Sequence, residues 1–181
     1  MSPKVSLGDA KGWIRPLADL PFGRLTRQIV AMTQDLRLAT HDDLQAVETV
    51  VRAAYFHYVV RIGREPGPML DDYTSLIGKG HVHVIEHDDM VKGVLVLIPE
   101  ERSMLLDNVA VSPDTQGLGL GRRMLEFAER AAMASGYRSI TLYTNEAMTE
   151  NIGLYSRIGY VETHRAEEKG LRRVYMAKPL F

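Results

Sequence analysis

Apolar and polar residues along this chain follow two periods, and the change of period predicts where helices and strands lie. Between residues 44 and 58 the apolar positions recur in steps of three and four, at Leu44, Val47, Val51, Ala54 and Tyr58. That spacing forms one face of an amphipathic helix. Thr40–Asp43 has the spacing of a capping box immediately before it. A second short helix is expected over residues 71–77.

Seven segments show the alternation or continuous apolar runs typical of strands, at residues 36–39, 81–86, 90–98, 103–111, 139–144, 160–164 and 173–177. Asp88–Asp89 predicts a hairpin turn between the second and third of them. Two further helices are expected over residues 119–135 and 149–158, and the glycines Gly136 and Gly159 end them.

The order of these elements predicts an α/β fold with a mixed sheet. Hairpins make most neighbouring strands antiparallel, while the strand–helix–strand segment from residue 104 to 144 must cross over right-handed to a roughly parallel strand. We expect one domain over residues 35–181. Residues 1–34 keep no period, so we expect an N-terminal extension that is partly mobile.

Composition narrows the classes of function. The 181 residues carry 22 basic and 23 acidic side chains. This balance creates no net positive electrostatic potential that would attract nucleic acid or an anionic membrane surface. No apolar run approaches the roughly 18 residues of a membrane span. Cysteine is absent, so thiolate metal sites and a cysteine nucleophile are excluded. We therefore expect a cytoplasmic protein with no nucleic-acid or membrane partner.

Three alternating glycines, Gly117, Gly119 and Gly121, stand where a strand and a Pro turn lead into a helix. Glycine near a helix start costs about 1 kcal/mol against Ala, so a close backbone approach or a positive φ is expected there. Free N–H groups and about half a unit of positive charge suit a phosphate at that point. The sequence predicts a pyrophosphate site; a mere tight turn is the alternative.

Two common phosphate motifs do not match this loop. A dinucleotide fold needs G-x-G-x-x-G after the first strand and an acidic residue at the end of the next strand. Here the glycines follow a third hairpin strand, and the next strand ends in Thr144 and Asn145. A P-loop is excluded because no Lys–Ser/Thr pair follows the glycines.

Two motifs together resemble the GNAT superfamily of N-acetyltransferases. Residues 116–121, Gln–Gly–Leu–Gly–Leu–Gly, match its Q/R-x-x-G-x-G/A signature, and residues 151–160 match the second motif that ends in Leu–Tyr–x–x–x–Gly–Phe/Tyr. The resemblance covers residues 35–181. It implies six or seven strands in a mostly antiparallel sheet, about four helices, and a V-shaped splay between the fourth and fifth strands.

The resemblance also implies acetyl-CoA as acyl donor, with no metal. The pyrophosphate contacts fall on the glycine segment, and the pantetheine arm lies beside the preceding strand, with an N–H of Val109 aimed at the thioester carbonyl. The implied cofactor-binding residues are Val109, Ala110, Val111, Gln116, Gly117, Leu118, Gly119, Leu120, Gly121, Arg122 and Asn151. Surface pairing with Glu126 is the alternative for Arg122. Asn151 stands four residues before Tyr155, whereas the Asn of the family's motif more usually stands seven residues before this Tyr. In the alternative interpretation Asn151 caps the helix and does not bind the cofactor.

Candidate catalytic residues follow from the chemistry of amine attack on a thioester. In the family a Tyr at the position of Tyr155 protonates the departing thiolate, and a thiol pKa near ~8.5 makes modest acid assistance sufficient. Packing on a short helix is the alternative role. Members of the family differ in the general base, and many use water. Glu101 and Asp107 are the candidate bases here; solvated turn charges are the alternative role of both.

The acceptor pocket is expected near the irregular segment 63–68. Tyr55, Tyr58, Arg61 and Tyr73 surround it in sequence, and arginines beside aromatic rings suit an acceptor with a carboxylate or phosphate. A helix end with solvated charges is the alternative. His81 and His83 share one strand face, and strand surface is a better interpretation than a metal site.

These observations predict an N-acetyltransferase that moves the acetyl group of acetyl-CoA to a primary amine of a small molecule or a protein N-terminus, by direct transfer in a ternary complex. Two alternatives stay open: a non-catalytic acyl-CoA-binding sensor on the same fold, and a transferase for a different acyl group. A homodimer is a further expectation from the family resemblance.

Overall fold

The computed structural model describes residues 36–181. The N-terminal extension predicted over residues 1–34 lies outside the described residues. The described chain forms the following elements: β1 (Leu36–Leu38), α1 (Leu44–Ile62), α2 (Tyr73–Gly78), β2 (Val82–His87), β3 (Met90–Pro99), β4 (Met104–Val111), α3 (Leu120–Ala134), β5 (Ser139–Asn145), α4 (Thr149–Arg157), β6 (Val161–Glu168) and β7 (Leu171–Pro179). Short 3-10 turns occupy His41–Asp43, Gly67–Met69 and Pro113–Thr115.

The seven strands form one sheet in the order β1-β2-β3-β4-β5-β7-β6. Every neighbouring pair is antiparallel except β4 and β5, which are parallel. The predicted hairpins are present, and both residues of the Asp88–Asp89 turn have positive φ, as a tight two-residue hairpin requires. The fold class predicted from the sequence is confirmed.

Helices cover both faces of the sheet. The α3 and α4 face encloses a core that includes Leu95, Met124 and Ile140. The opposite face carries α1 and α2 over a second core that includes Val47, Val84 and Val94. Neighbours in β3 alternate between the two cores, so the near-continuous apolar run of that strand is explained by burial on both sides.

A bulge interrupts β4 at the centre of the sheet. Leu97 of β3 pairs with Leu106, whereas Val96 pairs with Asn108, so Asp107 is an extra residue in the ladder. Met104 and Leu106 face the α3 core before the bulge, but Val109 and Val111 pack against that core after it. The bulge therefore reverses which residues of β4 face each layer.

Candidate active site

The parallel pair β4 and β5 separates at the bulge. Their pairing spans only Met104 to Leu106 on β4, with Leu142 as the last partner on β5. Beyond this point the described strands diverge, and the β5-facing backbone groups of residues 107–111 are left without a strand partner. This is the V-shaped splay that the family resemblance implies, and it opens a slot between the two strands.

A groove of about 560 Å³ lies between α3 and α4. Val109 of β4 forms part of its wall, and Leu125 and Leu154 contribute apolar surface from the two helices. Glu129 and Lys178, also in the wall, form an ion pair with 2.6 Å between Oε1 and Nζ. The groove thus offers an elongated, partly apolar channel beside the exposed backbone of β4.

The glycine segment turns into α3 through left-handed backbone conformations. Gly117 has φ +87 and Gly119 has φ +82, and a Cβ atom added to either would meet no atom of residues 36–181 within 4 Å. The glycines are therefore required by backbone conformation, and the space above them is open to a ligand. The first N–H groups of α3 have no acceptor within the helix. This cradle suits a pyrophosphate at the mouth of the groove.

Arg122 stands in the first turn of α3 and is largely exposed, with 2.8 Å between its Nε and Oε1 of Glu126. The surface ion pair considered as its alternative role is therefore present. An exposed pair of this kind is weak, so a phosphate could displace it.

A second, narrower cavity of about 50 Å³ lies on the α1 side of the splay. Five parts of the chain supply its lining: α1 with the 62–68 loop, the β4 bulge, the end of β5, α4 and β7. Val109, Asn151 and Tyr155 line both this cavity and the groove. The two spaces therefore meet at these three residues.

Tyr155 lies on α4 at this junction. Its ring packs edge-on against Tyr160, with 5.7 Å between ring centroids. Burial raises the pKa of Tyr155 to about 12, and the nearby Tyr58 adds to the effect. The phenol is therefore protonated at neutral pH and can donate a proton to a group in the slot.

Asp107, the extra residue of the bulge, lines the narrow cavity. Its carboxylate accepts a hydrogen bond of 2.5 Å from the hydroxyl of Tyr143. Burial, and then the nearby Asp107, raise the pKa of Tyr143 well above its usual value. The guanidinium of Arg173 lies 4.1 Å above the centre of the Tyr143 ring and pairs with Glu168.

Glu101 is not brought to this junction. It is exposed in the connection between β3 and β4, eight positions before Val109, which is roughly 26 Å along an extended strand. Of the two candidate bases, the structure places only Asp107 at the cavity.

Asn151 occupies the first turn of α4, at the junction. Its Oδ1 lies 3.5 Å from the hydroxyl of Tyr58, and its Nδ2 lies 3.6 Å from Sδ of Met148. Met148 stands seven residues before Tyr155, the position where the family more usually has Asn. A thioether is a weak acceptor, so the Asn151 amide keeps hydrogen-bonding capacity toward the slot.

The four predicted acceptor-binding residues separate into different roles. Tyr55 lines the narrow cavity, but Tyr58, Arg61 and Tyr73 do not. Arg61 donates to the Glu150 carboxylate at 2.8–2.9 Å and to the carbonyl of Ala147 at 3.2 Å. This arginine joins α1 to the start of α4.

Sequence reasoning missed Asn108, Tyr143 and Arg173. Asn108 is a polar residue in an apolar strand, which was a usable signal because a buried amide needs specific partners. Nothing in the sequence indicated that Tyr143 and Arg173 would face Asp107, since both pairings depend on the bulge and on the pairing of distant strands.

No group of three or more His, Asp or Glu side chains within residues 36–181 could hold a metal ion. His83 packs its ring 5.0 Å from that of Phe127. No helix in the same range is long and apolar enough to cross a membrane.

Comparison with known proteins agrees with this geometry. Residues 78–162 match the family model described as an acetyltransferase (GNAT) domain. The chain is 31% identical over 94 residues to a peptidyl-lysine N-acetyltransferase, YjaB, of Salmonella typhimurium, covering 52% of this chain and 58% of that protein. It is 29% identical over 84 residues to a 5-NmdU N-acetyltransferase of Pseudomonas phage PaMx11, covering 45% of this chain and 58% of that protein.

The fold is shared with solved structures at low identity. The PaiA N-acetyltransferase of Thermoplasma acidophilum, solved with coenzyme A, superposes with a TM-score of 0.67 at 15% identity, covering 80% of this chain and 98% of that one. The chain spans little more than half the length of the two curated relatives named above. Residues 78–162 therefore match a GNAT acetyltransferase domain, and the described part of the chain has the fold of a solved N-acetyltransferase.

Proposed function

We propose that this chain is an N-acetyltransferase that moves the acetyl group of acetyl-CoA to a primary amine. The observation that carries the proposal is the meeting of two separate spaces at Val109, Asn151 and Tyr155. Direct acyl transfer needs two substrates that approach one reacting carbon from different sides. A groove on one side of the sheet and a cavity on the other supply that arrangement.

The α3–α4 groove would hold acetyl-CoA, which supplies a thioester. The glycine cradle at Gly117 and Gly119 would bind the pyrophosphate through backbone N–H groups. The unpaired edge of β4 from Val109 to Val111 would hydrogen-bond the pantetheine arm, as an extra strand would. This assignment uses Ala110, Gln116, Leu118, Leu120, Gly121 and Arg122 as the family resemblance implies.

The acceptor amine would enter through the narrow cavity, where Asp107 removes a proton from the ammonium group. The amine nitrogen then forms a bond to the thioester carbonyl carbon. An N–H of the Val109 region stabilises the negative charge that develops on the carbonyl oxygen. The hydrogen bond from Tyr143 holds the Asp107 carboxylate in one orientation.

Tyr155 would complete the transfer. The carbon–sulfur bond breaks, the sulfur leaves with the bonding electrons, and the Tyr155 hydroxyl donates a proton to it. The products are the acetamide and the free thiol of CoA. The nitrogen releases its second proton, which restores the Tyr155 phenolate to the phenol, and Asp107 passes the first proton to solvent. With no cysteine in the chain, transfer without a cysteinyl acyl-enzyme is consistent with the composition.

The acceptor is proposed only as a class. The two curated relatives carry names for different acceptors, a peptidyl lysine and 5-NmdU. Both names share N-acetyl transfer. We therefore propose an amine acceptor for this chain, but not the kind of molecule that bears the amine. A cytoplasmic setting, a homodimer and the N-terminal extension over residues 1–34 are further proposals from the sequence.

A panel assay tests the function. Purified protein is given acetyl-CoA and amines of several classes (polyamines, amino acids, amino sugars and short peptides), and thiol release is followed spectrophotometrically with mass detection of the product. We expect turnover with at least one amine and none without an amine. Binding of acetyl-CoA by calorimetry with no turnover on any amine would favour the sensor. Faster turnover with propionyl-CoA or succinyl-CoA would indicate a different acyl group.

A further inference from the structure

A buried side-chain amide on β4 separates Asp107, the proposed base, from Val109, which lines both the groove and the cavity. Asn108 follows Asp107 and precedes Val109, and only 2% of its surface is exposed. Burying an amide without partners costs free energy, about 1–3 kcal/mol in proteins. An apolar residue would fill this strand position without that cost. The hydrogen-bond partners of the amide must therefore offset the cost of burying it.

Both polar atoms of the Asn108 side chain are hydrogen-bonded. The Tyr55 hydroxyl donates to Oδ1 at 2.7 Å, and Nδ2 donates to the Tyr73 hydroxyl oxygen at 3.0 Å. The Tyr73 hydroxyl in turn donates to the carbonyl of Pro68 at 2.9 Å. A chain of three hydrogen bonds therefore runs from α1 through the β4 bulge and α2 to the loop that lines the acceptor cavity.

The chain has one order of donors and acceptors. Each tyrosine has a single proton to donate, and Tyr73 uses its proton on Pro68. If the Asn108 amide were reversed, Tyr73 would have to donate to Asn108 and the Pro68 carbonyl would lose its partner. Only the observed orientation pairs all the groups, so the side chain of Asn108 is fixed in rotation as well as position.

We propose that Asn108 is a positioning residue that acts through Tyr55 and Tyr73, a role that rests on the proposed acetyl transfer. A bulge is a local irregularity that leaves its extra residue unpaired. By fixing the residue immediately after it, Asn108 directs Asp107 toward Tyr143 and the acceptor cavity. The same anchor directs Val109 toward the donor groove.

This role changes the interpretation of two tyrosines. Tyr55 and Tyr73 were predicted to bind the acceptor, but their hydroxyl groups are used inside the protein. Tyr55 lines the acceptor cavity, whereas Tyr73 does not and is joined by a hydrogen bond to Pro68, which does. A change at Tyr73 therefore tests positioning without removing a group that lines the cavity.

The test compares Tyr73→Phe and Asn108→Leu with wild type, using full-length protein and the best amine of the panel. A displacement of about 1 Å at reacting groups costs about 100-fold in rate, so we expect kcat/KM for the amine to fall about 10- to 100-fold in both variants. The Kd of acetyl-CoA, measured without acceptor, should stay within about threefold because the glycine cradle is intact. The double variant should be no slower than the slower single variant.

Tyr137→Phe is the matched control, since Tyr137 lies in the connection between α3 and β5 and its hydroxyl makes no hydrogen bond among the described residues. It should keep wild-type kcat/KM. All assays are run below the onset of thermal unfolding, so that loss of folded protein is not read as loss of rate. Wild-type kcat/KM in a folded Tyr73→Phe would overturn the positioning role, and so would additive losses in the double variant.

Amide hydrogen exchange gives a readout that does not need turnover. Tyr73→Phe should speed exchange in peptides covering residues 66–70 and 104–111, and Tyr137→Phe should leave both unchanged. Unchanged exchange in both segments of Tyr73→Phe would overturn the proposal even if wild type proved inactive on every amine. Inactivity of wild type would by itself overturn only the proposed function.

Discussion

The α3–α4 groove, proposed for the donor, and the smaller cavity, proposed for the acceptor, share one slot in the sheet but are built in different ways. The groove takes most of its lining from two short stretches of chain, residues 109–129 and 151–158. The cavity assembles residues from α1, the 62–68 loop, β4, β5, α4 and β7. A binding surface made from contiguous residues leaves a motif in the sequence, whereas one made from five separate parts of the chain leaves none.

The same contrast appears in how each side holds its residues. On the proposed donor side, local backbone conformation shapes the site, because left-handed glycines and the start of a helix are enough to form the cradle. On the proposed acceptor side, long-range hydrogen bonds hold the residues in place. Examples are the bonds from Asn108 to Tyr55, 53 positions away in the chain, and to Tyr73, 35 positions away. The first arrangement is damaged by changes of backbone conformation, and the second by loss of side-chain partners.

Gly119→Val should abolish most of the acetyl-CoA binding that we propose for the groove. A β-branched residue at φ +82 is strained by about 1–3 kcal/mol, and its side chain would project into the space proposed for pyrophosphate. Each lost hydrogen bond to a charged group costs about 1.5–3 kcal/mol. We expect acetyl-CoA affinity to fall about 100-fold or more in calorimetric titration.

Gly136→Val is the matched control for backbone strain. Gly136 also has a left-handed φ, +84, and no atom of the described residues lies within 4 Å of an added Cβ, but Gly136 stands at the opposite end of α3. It should lower the melting temperature without weakening acetyl-CoA binding. Equal loss of binding in both variants would show that strain alone, and no pyrophosphate contact, explains Gly119→Val.

Tyr155→Phe should separate chemistry from binding at the junction of the two sides. Removing the hydroxyl takes away the proposed acid, and a thiol with a pKa of about 8.5 leaves readily even unaided, so kcat should fall only about 10- to 100-fold. Acetyl-CoA affinity should change by less than about twofold because the ring still packs on Tyr160. Parallel loss of kcat and affinity would assign Tyr155 a structural role.

Arg61→Ala should have a small effect on the acceptor side. Arg61 is bound to Glu150 and lies outside the cavity lining, so the KM for the amine should change by less than about threefold, as for an exposed ion pair. Arg172→Ala is the control, because Arg172 pairs with Glu146 at 3.0 Å and its side chain is also exposed. A tenfold rise in KM for a carboxylate-bearing amine in Arg61→Ala alone would restore Arg61 as an acceptor-binding residue.

Tyr160→Phe should leave catalysis unchanged and raise stability slightly. The Tyr160 hydroxyl is buried with no hydrogen-bond partner among residues 36–181, and an unpaired buried polar group costs about 1–3 kcal/mol. We expect the free energy of unfolding in urea to rise by about 1 kcal/mol with kcat within twofold of wild type. Tyr55→Phe, which removes a paired hydroxyl, should lower it; a decrease in both would indicate a missing partner of Tyr160.

The sequence predicted the strands, the helices and the parallel crossover because each depends on local periodicity and on general rules of chain connection. The places of Gly117, Gly119 and Tyr155 in the fold were predicted for a similar reason, because their motifs coincide with a strand-to-helix turn and a short helix. Their roles in binding and catalysis stay predictions. The bulge at Asp107 could not be predicted, because the β4 pattern alone does not reveal an extra residue relative to β3. Without the bulge, Glu101 and Asp107 were equivalent candidates, and Tyr143 and Arg173 had no reason to be chosen.

The short β4–β5 pairing has a consequence for how the slot could be widened. Directional backbone hydrogen bonds join the two halves of the sheet over only three residue pairs, and apolar packing beneath α3, at residues such as Met124 and Ala128, holds the rest together. Such packing is non-directional and proportional to buried area. The aperture of the slot is therefore governed by side-chain volume in the core, at positions that no substrate would touch.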